Sequence, residues 1–518
     1  KMKHQSLLSG IKSLAIMLSL GLALASCTKD DVAQNPAKPN EEGNKNLTTF
    51  VAGDEAKTRT SLDYNSGDFS WEAGDYIYVK DDDGVLQKSS NAPTQKVASF
   101  RYRVPGKFGA KTSYKVYYLG KNSSGNSVTI STAQSQTAPD NTTHFGDAGD
   151  YGTATATKVT DKNQFAFVLE HHPAYLVFQP YTSNTILRNC KLTKVEVTSD
   201  NDIAETYTVN TSTGALTGSA GSKQIVLTTS GSSSYYNGFP LSNSSASVST
   251  NGAYMVIKPG THTLRVRYWV KDVATTVEGT ITKIYPSTAY ASNTYYDMTA
   301  DLNVRNYDGD HYYMWDAQDQ YWKGHEWWST NKDQPVLNNH SNGNYPKNNT
   351  DSRWYHEGSG AFQATQSCAG LPNVNELSWY CMNGDPRWDA DELWTTMGHL
   401  YKGGMWFKKK EHISDYNSNT AYDGTDWRTT SNQQNWSPSQ TLPSAADADK
   451  YFYLPALGCY LSGQLYSVGN TYNTGDYWSS SAYPRNSSLS AFSLNFSSSY
   501  VYVHINNRNN GFRVDGFK

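Results

Sequence analysis

Hydrophobic and polar residues alternate along most of this chain in short runs separated by Gly, Asn, Asp and Ser, the pattern of β-strands joined by tight turns. Near the first such run, "LTTFVAG" leads into "KTRTSLDYNSGDFSWEAGDYIYVKDDDG". Phe69 and Trp71 alternate there, Gly74-Asp75 makes a turn, and Tyr76-Ile77-Tyr78-Val79 follows as a strand. The cleanest alternation comes last, in "SSSYVYVHINNRNNGFRVDGF", residues 497–517. Val501, Val503 and Ile505 point one way, and Tyr500, Tyr502, His504 and Asn506 the other. One face reads as core and the other as a display of aromatic and hydrogen-bonding groups. One region reads as helical. Pro372 predicts a helix start through Asn375, Glu376 and Leu377. A second helix is expected from Asp389 to about Leu400, with Leu393, Trp394, Met397 and Leu400 on one face and Gly403-Gly404 as its stop.

The beginning of the chain has another texture. Lys1, Lys3 and Lys12 precede an uncharged stretch at residues 13–26, short for a bilayer span and suited to the apolar part of a secretory signal. It ends in Leu24-Ala25-Ser26-Cys27, which resembles the lipobox of bacterial lipoproteins. The resemblance implies a signal peptide over residues 1–27, cleavage before Cys27, and a lipid on the Cys27 sulfur that anchors the chain to a membrane. The plain alternative is a cleaved signal with an incidental cysteine. Thr28-Lys29-Asp30-Asp31 is similar to the acidic signal that sends some Gram-negative lipoproteins to the outer face of the outer membrane. Residues 28–46, "TKDDVAQNPAKPNEEGNKN", are polar and read as a flexible tether.

Composition narrows the class. A chain of 518 residues exceeds one ordinary domain and suggests roughly three. The 38 tyrosines, 14 tryptophans and 39 glycines, with much Ser, Thr and Asn, favour strands and turns over helices. A net charge of −3 with no basic stripe excludes nucleic acid as a partner. Beyond Cys27 stand Cys190, Cys368, Cys381 and Cys459. Cys190 in "NCKLTKVEV" falls on an apolar face and reads as a buried free thiol. Cys368 and Cys381 are near enough in sequence to pair, which spacing leaves open. No spacing resembles a zinc site. His171 and His172 sit at a strand corner with no third ligand patterned nearby. Asp81-Asp82-Asp83 lacks the glycine and glutamate spacing of a calcium loop and reads as a solvated hairpin tip. No metal or cofactor is expected.

Four passages, in order, resemble fimbrillin-family proteins, the lipoprotein-derived pilins and pilin-like proteins of certain anaerobic Gram-negatives. They are "TRTSL…FSWEAGDYIYV", "FAFVLEHHPAYLVF", "LTKVEVTSD" and "GAYMVIKPGTHTLRVRYWV", spread over roughly residues 47–300. The resemblance implies two tandem transthyretin-like β-sandwiches, at residues 47–160 and 161–300, and short alternating segments with regular turn signals agree. From residue 301 Trp and Asn become dense. "LPNVNEL", "YLPALG", "GDYWSSS", "FSLNFSSS" and "NNRNNGFRV" are similar to the marks of the major paralogous domain, a version of the C-type-lectin fold shared with formylglycine-generating enzymes. This implies an α+β, C-type-lectin-like domain over residues 301–518, in a chain that is mainly β.

Formylglycine-generating enzymes work through a late pair of reactive cysteines, whereas the last cysteine here, Cys459, has no partner close by. No serine elbow, HExxH or phosphate loop occurs, and helix capping accounts for Asp389 and Asp391. A binder is therefore expected rather than an enzyme. Modules of this type are diversified by retroelements that mutate adenines, which turns asparagine codons into many residues but never into Lys, Glu, Gln, Met or Trp. None of those five occurs in residues 483–510, where Asn486, Asn495, Asn506, Asn507, Asn509 and Asn510 remain as asparagine. Either the segment is a diversified cassette or it is an ordinary exposed sheet face. Leu494, Phe496, Val501, Val503 and Ile505 would hold the core. The expected ligand-binding residues are Tyr483, Arg485, Ser493, Asn495, Tyr500, Tyr502, His504, Asn506 and Asn507.

Fimbrillin precursors are trimmed at an arginine near the first strand, and a neighbour's strand fills the groove. Arg59 in "KTRTSL" matches that position, or is an ordinary exposed residue. Two functions compete. The first is a lipid-anchored outer-membrane adhesin or receptor, exposed at the cell surface, that takes an unknown protein or glycan ligand. The alternative is a structural fimbrial subunit, tip or anchor, that assembles with other pilin subunits by strand exchange.

Overall fold

The computed structural model describes residues 3–6, 47–53, 61–67, 69–123, 125–210, 212–274, 276–355, 357, 362–469, 473–515 and 517. Cys27, Arg59, the tether and the signal segment beyond Lys3–Ser6 lie outside the described residues. Strands dominate, and the chain divides into two units, Lys1–Val273 with Tyr285–Asn303 and Ala274–Ile284 with Val304–Lys518.

In the first unit, strands β1 (Leu47–Ala52), β2 (Ile77–Lys80), β3 (Phe100–Pro105), β4 (Ser113–Tyr118), β5 (Gly152–Lys158) and β6 (Gln164–Phe167) share a sheet in the order β2-β4-β5-β6-β1-β3. β1 lies between β6, which runs parallel to it, and antiparallel β3. Its alternation puts Phe50 and Ala52 in a core with Trp71, Ile77, Val79, Tyr102, Val116 and Phe165. Gly74 takes φ +82° in the expected turn, a conformation that suits glycine. The acidic run departs from its expected solvated tip. Asp81 is 2% exposed and accepts from the Val85 backbone and the Gln87 amide. Asp82 accepts from the Gly109 and Ala110 amides and from the Tyr114 hydroxyl. Only Asp83 points outward, because the turn needs acceptors for its orphan backbone donors. At the histidine corner, Asp150 accepts from Tyr175 OH at 2.6 Å and bonds His171 Nδ1 at 3.0 Å, both buried.

Farther along the first unit, β7 (Ala174–Tyr181) lies between β8 (Ala253–Ile257), antiparallel, and β9 (Thr294–Asp301), parallel. Lys3–Ser6 continues that sheet beside the last strand. All of Leu176, Val177, Phe178, Met255, Val256 and Ile257 are fully buried. Cys190 is a buried free thiol, pushed up to about 12 by burial and by Asp272.

In the second unit, Val374–Met382 forms a helix, α1, opened by a capping box: Asn373 accepts from Glu376 N, and the Glu376 carboxylate accepts from Asn373 N. The second expected helix is instead a hairpin of β10 (Arg387–Thr396) and β11 (His399–Lys408). Thr396 pairs with His399, so Met397 and Gly398 make a two-residue turn with φ +48° and +80°, the backbone that matches strand twist. Gly403 and Gly404 stop nothing; they lie within β11. A side chain on Gly404 would meet the Leu454 carbonyl and the Tyr453 ring of the adjoining strand. Asp389 caps no helix either. It accepts from Asp391 N, Glu392 N and Trp406 Nε1, holding the irregularity between Asp389 and Leu393.

The other sheet of this unit contains β12 (Gly475–Ala482), β13 (Ser490–Phe496), β14 (Val501–Asn507) and, beyond β14, the short strand Gln434–Trp436. Tyr477, Phe492, Leu494, Phe496, Val501 and Val503 form one core with Val374, Leu377 and Cys381 of α1. Cys368 belongs to a different cluster, with Trp315, Cys459 and Trp478, so both cysteines are buried free thiols in separate cores.

Candidate functional site

The β13–β14 hairpin carries most of the expected ligand-binding residues. Its register pairs Phe496 with Val501, Leu494 with Val503 and Phe492 with Ile505 on the apolar face. The opposite face pairs Asn495 with Tyr502, Ser493 with His504 and Ala491 with Asn506. Val501 and Val503 are fully buried, whereas Tyr500, Tyr502, His504 and Asn506 are half-buried and Asn507 is exposed. Tyr502 and His504 stack at 4.4 Å. Tyr483 is half-buried with its ring edge-on to Phe492 at 5.7 Å, and Arg485 is exposed.

Ser493 and Asn495 are not outward and free to vary. Ser493 is 0% exposed and Asn495 8%. β13 is a central strand, flanked by β12 and β14, and Trp478 of β12 and Ala491 of β13 pack on that side with Trp315, Cys459 and Phe512. Alternation assigns a side chain to a face, but only the neighbouring layers decide whether that face is wet. The polar groups there satisfy one another. Ser493 Oγ donates to Asn495 Oδ1 at 2.8 Å, and the Asn495 amide donates to Asp476. The Asn506 amide donates to Ser493 Oγ at 2.8 Å and to Asn495 Oδ1 at 3.1 Å. Asn506 is thereby tied down as well.

Burial raises the Asp476 carboxyl above its ordinary 3.8, against the pull of bonds from Thr474, Asn495 and Cys459. Burial also holds the His504 imidazole below its ordinary 6.5, so the ring is neutral at pH 7, and its Nδ1 lies 3.1 Å from the Asn506 amide. The accessible part of the expected face reduces to the Tyr502–His504 stack, Tyr500, Tyr483, Arg485 and Asn507.

Beside it, Tyr345, Lys347, Trp354, Ser462 and Asn509 line a recess of about 120 Å³ floored by Met314 and Tyr321. Apart from Asn509, sequence reasoning missed these residues. A usable signal was present: Tyr345 sits in "NGNYPKNN", an aromatic among turn formers, which marks an exposed loop. The loop is held by Arg353, whose guanidinium bonds Asp351 at 2.7 Å and donates to the Asn344 carbonyl at 3.1 Å.

The chain terminus closes on a buried cation. Arg513, 0% exposed, donates to the Asp308 carbonyl at 2.7 Å, pairs with Asp515 and lies 4.9 Å over the Tyr312 ring. Burial pushes the Asp515 carboxyl up, but the Arg513 charge and the bonds from His311 and Arg513 outweigh it and hold the group well below its ordinary 3.8. The bond to Asp515 raises His311 above its ordinary 6.5, against burial. The lowered carboxyl contributes stability above 3.8 that is lost as pH falls through its folded value, and the raised imidazole contributes below 6.5 and loses it as pH rises. This closure is therefore strongest between those two values. Urea titrations across pH 4 to 8 should show His311→Gln erasing a stability loss on the alkaline side that the unaltered chain displays.

No family model matches the chain, and a search of curated proteins gives no match. Among solved structures, a provisionally assigned cell adhesion protein of Bacteroides ovatus overlays with TM-score 0.31 and 14% identity, covering 50% of this chain and 94% of that one. A fimbrial assembly protein of Parabacteroides distasonis overlays with TM-score 0.25 and 13% identity, covering 49% and 90%. The fimbrial anchor protein Mfa2 of Porphyromonas gingivalis overlays with TM-score 0.21 and 10% identity, covering 46% and 82%. Overlays this loose carry no argument about fold or role, and the chain stands as a mainly β protein similar over about half its length to these structures.

Proposed function

We propose that the chain is a surface lipoprotein, anchored in the outer membrane through Cys27, that uses a C-type-lectin-type C-terminal unit on a pilin-like stalk to bind a protein or glycan partner, and that it is not an enzyme. The observation that carries this reading is the Tyr502–His504 stack, half-exposed on a strand whose other face is locked in a dry core. Tyrosine and histidine offer contact area at little entropic cost when their backbone is already rigid. Gln434–Trp436 pairs with β14 from Val501 to Val503, and among the described residues no strand continues that edge from His504 onward, which leaves it open to a partner.

The purified chain applied to an array of glycans and host proteins tests this. Tyr502→Ala and His504→Ala should each weaken the captured partner by about tenfold or more with unchanged thermal stability. Full retention of binding in the double variant would sink the reading.

A second reading, a fimbrial subunit assembled by strand exchange, has its own support. A cut after Arg59 would release β1, a strand inserted between β6 and β3 with Phe50 and Ala52 fully buried. The vacated slot would accept an extended segment with alternate apolar residues. Extracted filaments resistant to sodium dodecyl sulfate, with the chain in their ladder, would favour this reading over the receptor.

A further inference from the structure

A cavity of the first unit lies over one of its sheets. β4 and β5 are antiparallel neighbours, with Tyr117 opposite Thr153 and Lys115 opposite Thr155. Their inward residues Tyr114, Val116 and Tyr118 fill the core, so Lys115, Tyr117 and Thr153 point outward. A hairpin arches over them, made of the strands Ala204–Val209 and Leu216–Ser222. It is clamped at its turn, where Tyr117 OH donates to the Gly214 carbonyl at 2.9 Å. The hairpin contributes Tyr207, whose ring lies 4.7 Å from that of Tyr151. Tyr151 stacks in turn on His172 at 5.3 Å, and His172 Nε2 is 2.8 Å from Thr153 Oγ1.

These groups enclose about 340 Å³. That reaches the size of small-molecule sites, about 300 Å³ upward, whereas the recesses of about 140 and 120 Å³ elsewhere do not. The walls are aromatic faces, and the rim carries hydroxyls and one exposed ammonium, Lys115. Burial lowers His172, so its ring adds no positive charge at neutral pH. Glu205, which hydrogen-bonds the Tyr207 hydroxyl, is also engaged by Lys258 at 2.9 Å. Glu170 stands beside His172 and is exposed.

We propose that this pocket binds a pyranose bearing a carboxylate, the hexuronate unit of an acidic glycan. A pyranose presents C–H groups on its faces, which pack on tyrosine rings, and hydroxyls on its edge, which meet Thr153 and Tyr207. The carboxylate meets Lys115 in a charge-assisted bond. An aromatic side chain from a peptide would use the walls equally well but would leave Lys115 without a role. The site is independent of the lectin-type reading, since none of its residues belongs to the second unit.

The test is saturation-transfer NMR and calorimetry on the full chain with methyl β-glucuronide, methyl β-glucoside and p-cresol as probes. The glucuronide should bind with a millimolar constant and about fivefold more tightly than the glucoside. Lys115→Gln, a surface change that leaves the fold alone, should abolish that preference, and Tyr207→Ala should abolish binding of both sugars. Tyr502→Ala should change neither, so loss of partner binding at β14 leaves this result untouched. No transfer to either glycoside, transfer to p-cresol alone, or an unchanged preference in Lys115→Gln would overturn the proposal. Thermal unfolding of each variant separates loss of the pocket from loss of the fold.

Discussion

Gly475→Ala should destabilise the C-terminal unit by about 3 kcal/mol, a drop of roughly 6–12 °C for a unit of this size. Gly475 begins β12 and pairs across the strand with Phe496. The ring of Phe496 lies directly over the glycine, where a Cβ would have to sit. That ring has nowhere to go. It is fully buried, stacked on Tyr477 at 5.8 Å and 13°, and meets Phe407 edge-on at 5.9 Å. Accommodating a methyl group means driving the ring off its rotamer or prising the β12–β13 pair apart, and a close-packed interior resists both. Gly370→Ala is the matched control, because nothing lies within 4 Å of a Cβ there. Calorimetry should leave the control within about 0.5 kcal/mol of the unaltered chain. Equal unfolding temperatures for the two variants would show that the ring is not confined as described.

Arg508→Ala should cost about as much and should also disorder the proposed binding face. Arg508 is 1% exposed, with its guanidinium 4.4 Å over the Trp315 ring and 5.3 Å from that of Tyr355. Its Nη1 donates to the Ser487 carbonyl at 2.7 Å. Its backbone joins Leu489 on one side and Trp315 on the other, at 2.9 and 2.8 Å. One side chain thus ties the end of β14 to the β12–β13 connection that carries Arg485. Truncation leaves a cavity beside two aromatic rings and removes the donor from a part-buried carbonyl, for an expected loss of about 3–5 kcal/mol. Arg508→Lys keeps the charge but forfeits the planar stack and fork, and should lose about 2 kcal/mol. Hydrogen exchange gives the sharper reading. Amides of residues 485–490 should lose protection in Arg508→Lys while those of α1 keep theirs. Uniform loss across the unit would mean that Arg508 supports the whole core rather than this connection.

Both predictions concern short motifs that were visible in the chain, "GDYWSSS" and "NNRNNG", yet their physical content was not. Nothing in the string reveals that Phe496 rests on Gly475 or that Arg508 is sandwiched between aromatic rings, since these are contacts across strands and loops distant in sequence. Local grammar was more legible. The start of α1 could be placed because Pro372 and Glu376 act within a single turn, and the last strand because its period is two residues. The expected helix at Asp389–Leu400 failed for an instructive reason. Leu393, Trp394, Met397 and Leu400 satisfy a helical face, but Trp394, Thr395 and Thr396 are also strand formers, and Met397-Gly398 can turn a hairpin. Leu393–Thr396 pairs with His399–Lys402, and the same hairpin extends through Gly404–Lys408 onto the strand Tyr451–Pro455, so tertiary context outweighed the local preference.

The amino-acid sequence determined the periodicities: where strands run, which side of β14 is aliphatic, where α1 is capped, and that the chain is mainly β. Those properties follow from side-chain geometry over a few residues. Tertiary structure decided which faces are dry. Leu494 and Ser493 both came out fully buried although one is apolar and the other polar, because β13 has packed clusters on both faces. It also decided that Cys368 and Cys381 occupy separate cores, and that tyrosines from distant strands converge on one cavity in the first unit. Burial depends on which elements are stacked above and below a residue, and that arrangement is set by the packing of the whole unit rather than by any stretch of neighbours.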